Sequence, residues 1–288
     1  MQNYVIFTDS GCDIAPEILT EWGVQYSSLI YYFADDEIEH TSTDMSIKSF
    51  YDRMRAGGVA KTAAISIGTF LDAFEPLLQE GKDILYLSFS SGLSTTCNSA
   101  HLAANQLAEQ YPERKIVVVD TLAASAGQGL LVYFAKELKN DGKAIDEVAA
   151  HLEELKFKLS HWFTVDDLEY LKRGGRISPT VAFLGNALGL KPLLHVDNEG
   201  KLISMAKIRG RKKALLSLAD KYTELAETPA EGTVFISHAD CEEDAKLVAQ
   251  ALQERHGVKV HLITDIGAVI GAHAGPGTVA LFFLGRER

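Results

Sequence analysis

The side chains best placed to do chemistry in this 288-residue sequence are hydroxyls. Six of them crowd the nine-residue run Ser88-Phe89-Ser90-Ser91-Gly92-Leu93-Ser94-Thr95-Thr96. A long helical stretch follows the run. Free N–H groups and the positive dipole end of a helix favour an anion, and Ser94 or Thr95 can add a hydroxyl donor. An ordinary helix cap produces the same pattern, and both roles fit if different hydroxyls take them. The run lacks the Gly-Lys-Ser/Thr ending of a phosphate-binding loop. A second segment, Lys61-Thr62-Ala63-Ala64-Ile65-Ser66, reads alone as a loop entering a helix, with Ser66 or Thr69 as cap. A third, Asp265 to Gly277, sets His273 among glycines and alanines. Such neighbours let backbone approach closely and leave the imidazole uncrowded. That suits a ligand donor and, equally, a structural histidine in a tight turn. The other histidines have no metal-ligand spacing, so neither metal nor cofactor is expected. Ser94, His273 and Asp9 or Asp120 would supply a hydrolase triad by residue type. There is no Gly-x-Ser-x-Gly, however, and no catalytic set is expected.

These segments must be positioned by strands and helices. Apolar runs at 4–8, 24–32, 84–88 and 115–119 read as strands. Helical stretches are expected at 16–22, 46–55, 69–78, 94–111, 124–139 and 145–159. Strands alternating with helices predict a parallel sheet covered on both faces, a three-layer α/β/α domain. The loops Asp9-Ser10-Gly11, Ser90-Ser91-Gly92 and Asp120-Thr121 each follow a strand, so they share the carboxyl edge of that sheet, where ligands bind. Further on, strands at 193–196, 202–208, 234–238, 258–264 and 278–284 alternate with helices at 212–226 and 242–256. The turn Asp197-Asn198-Glu199-Gly200 signals a hairpin, hence an antiparallel pair in a mixed sheet. A boundary near residue 160 divides an N-terminal domain, 1–160, from a C-terminal two-layer α/β domain, 161–288.

Composition narrows the class. Hydrophobic residues make up 47% and the net charge is −11. A core is available, and general nucleic-acid binding is disfavoured because phosphates would be repelled. No apolar run is long enough for a membrane-spanning helix. The start carries no recognisable signal peptide, and Cys12, Cys97 and Cys241 lie far apart and are odd in number. Together these point to a reducing, cytoplasmic setting. Residues 172–213 hold ten Lys or Arg against two acids, a segregation that can steer an acidic partner to one face.

The chain resembles the DegV proteins, bacterial fatty-acid-binding proteins that include the carrier subunit of fatty acid kinase. The resemblance spans about 3–286 and rests on the order of several motifs: Thr8-Asp9-Ser10, Lys61-Thr62 with Ser66, Ser90 to Ser94, Val119-Asp120-Thr121 with Ser125 and Gly127, Tyr170 to Ser178, Lys191-Pro192, and Gly271-x-His273-x-Gly275-Pro276-Gly277. It implies a long-chain fatty acid lying in a tunnel between the two domains. It also implies a carboxylate held by Thr62 and Ser94 with His273 close by, and Ser10, Ser66 and Thr95 as headgroup neighbours. Arg173 and Arg176 would belong to a surface that meets the kinase, and Lys191, Arg209 and Arg211 extend that basic face. Where the family usually has Ser-Gln-Pro after Lys-Thr, this chain has Ala63-Ala64-Ile65; where Gly-Thr-Tyr usually follows the last serine, it has Thr95-Thr96-Cys97. Two rival readings are a Ser94–His273 acyl hydrolase or acyltransferase, and a regulatory or scaffold protein with a structural lipid.

Overall fold

The computed structural model describes residues 3–36, 38–178 and 189–288. Strands β1 (Tyr4–Asp9), β2 (Val24–Ser27), β5 (Asp83–Ser88) and β6 (Ile116–Asp120) form a parallel sheet in the order β2-β1-β5-β6. Every residue of β1 is buried, as a central parallel strand covered on both faces requires. Its side chains divide by the two-residue period. Val5 and Phe7, with Ile84 and Tyr86 of β5, pack on helices α3 (Ile67–Gln79) and α4 (Thr96–Gln110) through Phe70, Phe74 and Leu107. Ile6, Leu85 and Leu87 face the opposite layer, built from α1 (Pro16–Glu21), α5 (Ala126–Asn140) and α6 (Ile145–Leu155). This is the expected three-layer arrangement. The strand order reverses between β1 and β5, so the loops after these two strands diverge to opposite faces and open a crevice.

A mixed sheet runs β11-β10-β12-β7-β8-β9. Its members are β7 (Leu159–Thr164), β8 (Leu190–Val196), β9 (Leu202–Arg209), β10 (Phe235–His238), β11 (Leu262–Asp265) and β12 (Val279–Leu284). One face packs on α8 (Arg211–Leu225) and α9 (Glu242–His256) through Trp162, Leu218, Tyr222, Val248 and Leu281. The other face, with Phe163, Phe235 and Phe282, joins the same apolar cluster as α5 and β1. The α5 layer is therefore shared by the two sheets. The hairpin expected at Asp197–Gly200 forms between β8 and β9. Asp197 accepts from the backbone N–H groups of Glu199 and Lys201, both at 2.9 Å.

Four expectations needed correction. The single strand at 24–32 is broken at Ser28-Leu29, and its second part, β3 (Ile30–Phe33), pairs instead with β4 (Ala60–Ala63) in a separate two-stranded ribbon. Ser10 Oγ accepts from Leu29 N at 3.0 Å and fixes the break. Lys61 and Thr62, read as loop, thus lie on a strand. The helix expected to run to 159 stops at Leu155, and β7 begins at Leu159. The glycine-rich stretch around His273 contains a short helix, α10 (Ala268–Ala274). Gly271 gives it close contact with the ribbon side, because a Cβ there would meet the Tyr51 hydroxyl oxygen at 2.3 Å. Helices α2 (Ile47–Arg55) and α7 (Glu169–Arg173) flank α10.

Candidate functional site

A cavity of about 450 Å³ lies between the two sheets. The parallel-sheet side contributes Phe89, Leu93, Ser94 and Ala124, the ribbon Thr62, and the mixed-sheet side Phe163, Val196, Ala280 and Phe282. Most of the wall is aliphatic or aromatic. One group of polar side chains, Thr62, Ser94, Thr95, Arg176 and His273, marks one pole of the cavity, and Ser125, His161 and Thr278 also line the wall. The volume lies within the range typical of small-molecule sites, and so does the pattern of an apolar chamber with few convergent polar groups.

Each polar group is held by its local structure. Thr62 is placed by its register opposite Tyr31, and its Oγ1 lies 2.8 Å from His273 Nε2. Ser94 precedes α4. Its Oγ accepts from Thr96 N at 3.2 Å and lies 2.9 Å from Thr96 Oγ1. Ser94 therefore steadies the turn into the helix while lining the cavity, and α4 itself, with Thr95 as N-cap, begins without a side-chain cap bond. Thr96 is fully buried, and its Oγ1 accepts from Ile65 N at 3.3 Å. It stitches the Ser94 loop to the segment carrying Thr62. The sequence reading missed this residue, although its hydroxyl stood in the motif.

His273 projects from the last turn of α10 toward α7. A Cβ on Gly174 would lie 2.2 Å from its Nδ1, so that glycine makes room for the ring. Burial, and then the charge of Arg176, push the imidazole down from 6.5 to about 4. The ring is therefore neutral at pH 7. If the ring proton sits on Nε2, the imidazole donates to Thr62 Oγ1 and frees the threonine hydroxyl proton to donate into the cavity. Arg176 donates from Nε and Nη2 to Leu93 O at 3.2 and 3.0 Å and from Nη1 to Gly174 O. Assigned through the resemblance to a partner-facing surface, Arg176 is half-buried and lines the cavity, where it supplies positive potential while holding the carbonyls of Leu93 and Gly174.

Gly174→Ala is expected to displace His273 and separate it from Thr62. Ligand affinity should fall by about tenfold, the worth of one hydrogen bond to a charged group. Gly174 has an ordinary negative φ of −70°, so backbone strain adds nothing. Calorimetric titration of the variant checks this, and unchanged affinity would show that His273 is not needed where it stands.

The other sequence candidates fall differently. Thr95 lines the cavity. Ser10 and Ser66 do not: Ser10 anchors Leu29, and Ser66 caps α3 by accepting from Thr69 N at 3.1 Å. Arg173 and Arg209 are exposed. Lys191 pairs with Asp166 at 2.7 Å, and Arg211 pairs with Asp244 at 2.7 Å. Asp9 is wholly buried and accepts from Tyr86 Oη at 2.6 Å, Phe89 N at 2.9 Å and Gly11 N at 3.0 Å. Burial raises its carboxyl above the usual range. Asp120 accepts from Ser91 N and Leu122 N. Both acids pin the loops at the sheet edge, and among the described residues neither is hydrogen-bonded to His273. Among the described residues no serine–histidine–carboxylate relay is hydrogen-bonded around Ser94.

The chain matches, over residues 3–286, the family model described as "Uncharacterised protein, DegV family". It is 46% identical over 286 residues to a DegV domain-containing protein of Clostridium perfringens, covering 99% of this chain and 98% of that one. Among solved structures it resembles a DegV family protein from Thermus thermophilus described for its fatty acid binding, with 31% identity, a TM-score of 0.88 and coverage of 99% and 100%. It also resembles a stearic acid-binding protein from Eubacterium ventriosum, with 26% identity, a TM-score of 0.89 and 98% of each chain covered. Matched end to end in sequence, and in the order of its strands and loops, the chain belongs to the DegV family.

Proposed function

We propose that this protein is a non-catalytic carrier of a long-chain fatty acid. The observation that carries the reading is the largely apolar cavity with a polar pole, where Thr62 is hydrogen-bonded to His273 and Ser94 lines the same wall. The carboxylate would sit between the Thr62 and Ser94 hydroxyls and His273, with Thr95 at the rim and Arg176 behind. The acyl chain would occupy the remainder as a tunnel between domains 1–160 and 161–288. A palmitate-like chain buries roughly 14 methylenes, a gross gain on the order of 11 kcal/mol, from which association and chain ordering subtract much. The tail supplies affinity and the pole supplies orientation.

In this reading the carrier works in the cytoplasm and presents the carboxylate to a separate kinase for lipid metabolism. The exposed Arg173 and Arg209 would form the contact surface, with Lys191 and Arg211 behind them. The family membership and the fatty-acid binding of the solved relatives support the lipid-carrying part of it.

Native mass spectrometry of the purified protein, before and after lipid stripping and titration with palmitic or stearic acid, tests the proposal. One acid per chain is expected. The double variant Thr62→Val, Ser94→Ala should bind about a hundredfold more weakly, since two hydrogen bonds to a charged group are lost. A protein that carries no fatty acid and takes up none would overturn it.

A further inference from the structure

The cavity wall contains a second polar feature that a carrier of plain alkyl chains does not need. His161 on β7 is 1% exposed, lines the cavity, and has no hydrogen-bond partner on either ring nitrogen among the described residues. The polar groups around it are engaged elsewhere. His195 Nδ1 lies 2.8 Å from the backbone oxygen of His161. Arg288 donates to the carbonyls of Val196, Lys156 and Leu122. The ring stands edge-on to Phe282 with centroids 5.7 Å apart. Helix α5 gives up a side chain where the two rings meet: a Cβ at Gly127 would lie 2.7 Å from both His161 Nδ1 and Phe282 Cδ1. A buried donor and acceptor left unpaired are costly, and native proteins rarely keep them without a use. Leucine or phenylalanine would line a purely apolar chamber at lower cost.

Strand register places this imidazole along the wall. Thr278 donates to Ala274 O and Gly275 O, beside His273. From Thr278 the chain runs four residues to Phe282, the register partner of His161, a distance of about 13 Å. His161 therefore lies well down the acyl chamber from the carboxylate pole. Ser125 belongs to the same stretch of wall. It lines the cavity with φ 55° and ψ −150°, a strained conformation that surrounding structure must impose. Its hydroxyl donates to Asp13 Oδ2 at 2.5 Å and lies 2.8 Å from Ser237 Oγ. Ser237 pairs with Ala280, two residues from the row of Phe235, Phe282 and His161. Burial and the Arg288 charge keep His161 well below the usual imidazole range. A neutral ring offers one N–H donor and one acceptor, which suits an uncharged oxygen and neither a second carboxylate nor an ammonium.

We propose that the preferred ligand is a long-chain fatty acid bearing a hydroxyl or ketone near the middle of its acyl chain, bound at His161 with Ser125 beside it. This rests on the carrier reading and specifies its ligand class. The lipid-stripped protein is offered an equimolar mixture of stearic acid and a mid-chain monohydroxystearic acid, and the bound ratio is read by native mass spectrometry. Wild type should enrich the hydroxy acid by roughly tenfold, and His161→Leu should bring the ratio to parity or reverse it while still loading stearic acid. Wild type that loads stearic acid at least as readily as the hydroxy acid overturns this inference and leaves the carrier reading intact. Wild type that loads neither acid overturns both. Should His161→Leu not fold, wild type alone decides with acids whose hydroxyl is moved along the chain. Uptake peaking at mid-chain is expected, and uptake independent of position overturns the inference.

Discussion

Gly92→Ala is expected to cost about 3 kcal/mol of stability, combining overpacking with the loss of a buried hydrogen bond, and to weaken ligand uptake with it. An added Cβ would lie 2.5 Å from Glu199 O and 2.8 Å from both the carbonyl carbon and the oxygen of Gly200. All three are backbone atoms of the β8–β9 turn, which Asp197 already fixes. Gly200 N donates to Asp197 O at 2.9 Å, and Gly200 itself requires φ +71°. On the other side, Ser90 Oγ donates to Gly200 O at 2.9 Å and accepts from Gly92 N at 3.1 Å. Neither partner can yield without breaking its own bonds. Because Ser94 N donates to Ser90 O at 3.1 Å, a shifted loop also tilts the Ser94 hydroxyl. Gly68→Ala is the control, since its nearest neighbour would be 3.7 Å away and a helical alanine is favoured. Urea denaturation measures both, and a Gly92 variant as stable as the control would refute the argument.

The second large effect is a pair of opposite pH dependences in the ligand-free protein. His273 is depressed from 6.5 to about 4 by burial and by Arg176. Protonation is thus harder in the folded state, and stability present above pH 6.5 is lost as the pH falls toward about 4. Asp13 runs the other way. Burial raises it from 3.8 to about 7, against the hydrogen bonds from Ser125 and Gly267. Its folded form keeps a proton that the unfolded chain releases, so stability declines as the pH rises from 3.8 through about 7. Relative to wild type, His273→Gln should therefore gain up to about 3 kcal/mol toward acid, and Asp13→Asn up to about 4 kcal/mol toward neutrality. Each variant also carries a constant offset from its altered hydrogen bonds, so the slopes are the test. Denaturation midpoints across this pH range should give difference curves of opposite sign. Flat or parallel curves would show that neither group titrates as its burial requires.

Much of the fold was legible because its signals were local. Strands β1, β5 and β6 are apolar runs, the Asp197–Gly200 turn has turn chemistry, and the loops after parallel strands share an edge by topology alone. What stayed hidden was decided by tertiary contact. The break between β2 and β3 leaves no mark in an apolar stretch from 24 to 32; it depends on Ser10 reaching Leu29. Strand β4 has only Ala60-Lys61-Thr62-Ala63, a sequence with little strand preference, and pairing with β3 creates it. Helix α10 contains or abuts three glycines, at 267, 271 and 275, and is stabilised by packing on Tyr51 and the ribbon. In the site, the polar pole was readable only through the resemblance. Thr62 by itself was a loop residue and Ser94 a cap. Arg176 was placed on a kinase-facing surface by the resemblance, and only its bonds to Leu93 O reveal the inward turn. His161 stood in the sequence as part of a domain boundary, with nothing to mark its unpaired nitrogens.

The position of β12 has a consequence for how the chain assembles. This strand, Val279–Leu284, lies between β7 and β10 at the centre of the mixed sheet. Its partner β7 was laid down more than a hundred residues earlier. During synthesis β7 and β10 must therefore wait, with their inner edges open, until residue 284 has emerged. Non-local closure of this kind is slow and leaves apolar edges exposed meanwhile. The parallel sheet, complete by Asp120, has no such delay. It can form first as a template, and the late strand then closes the chamber over it.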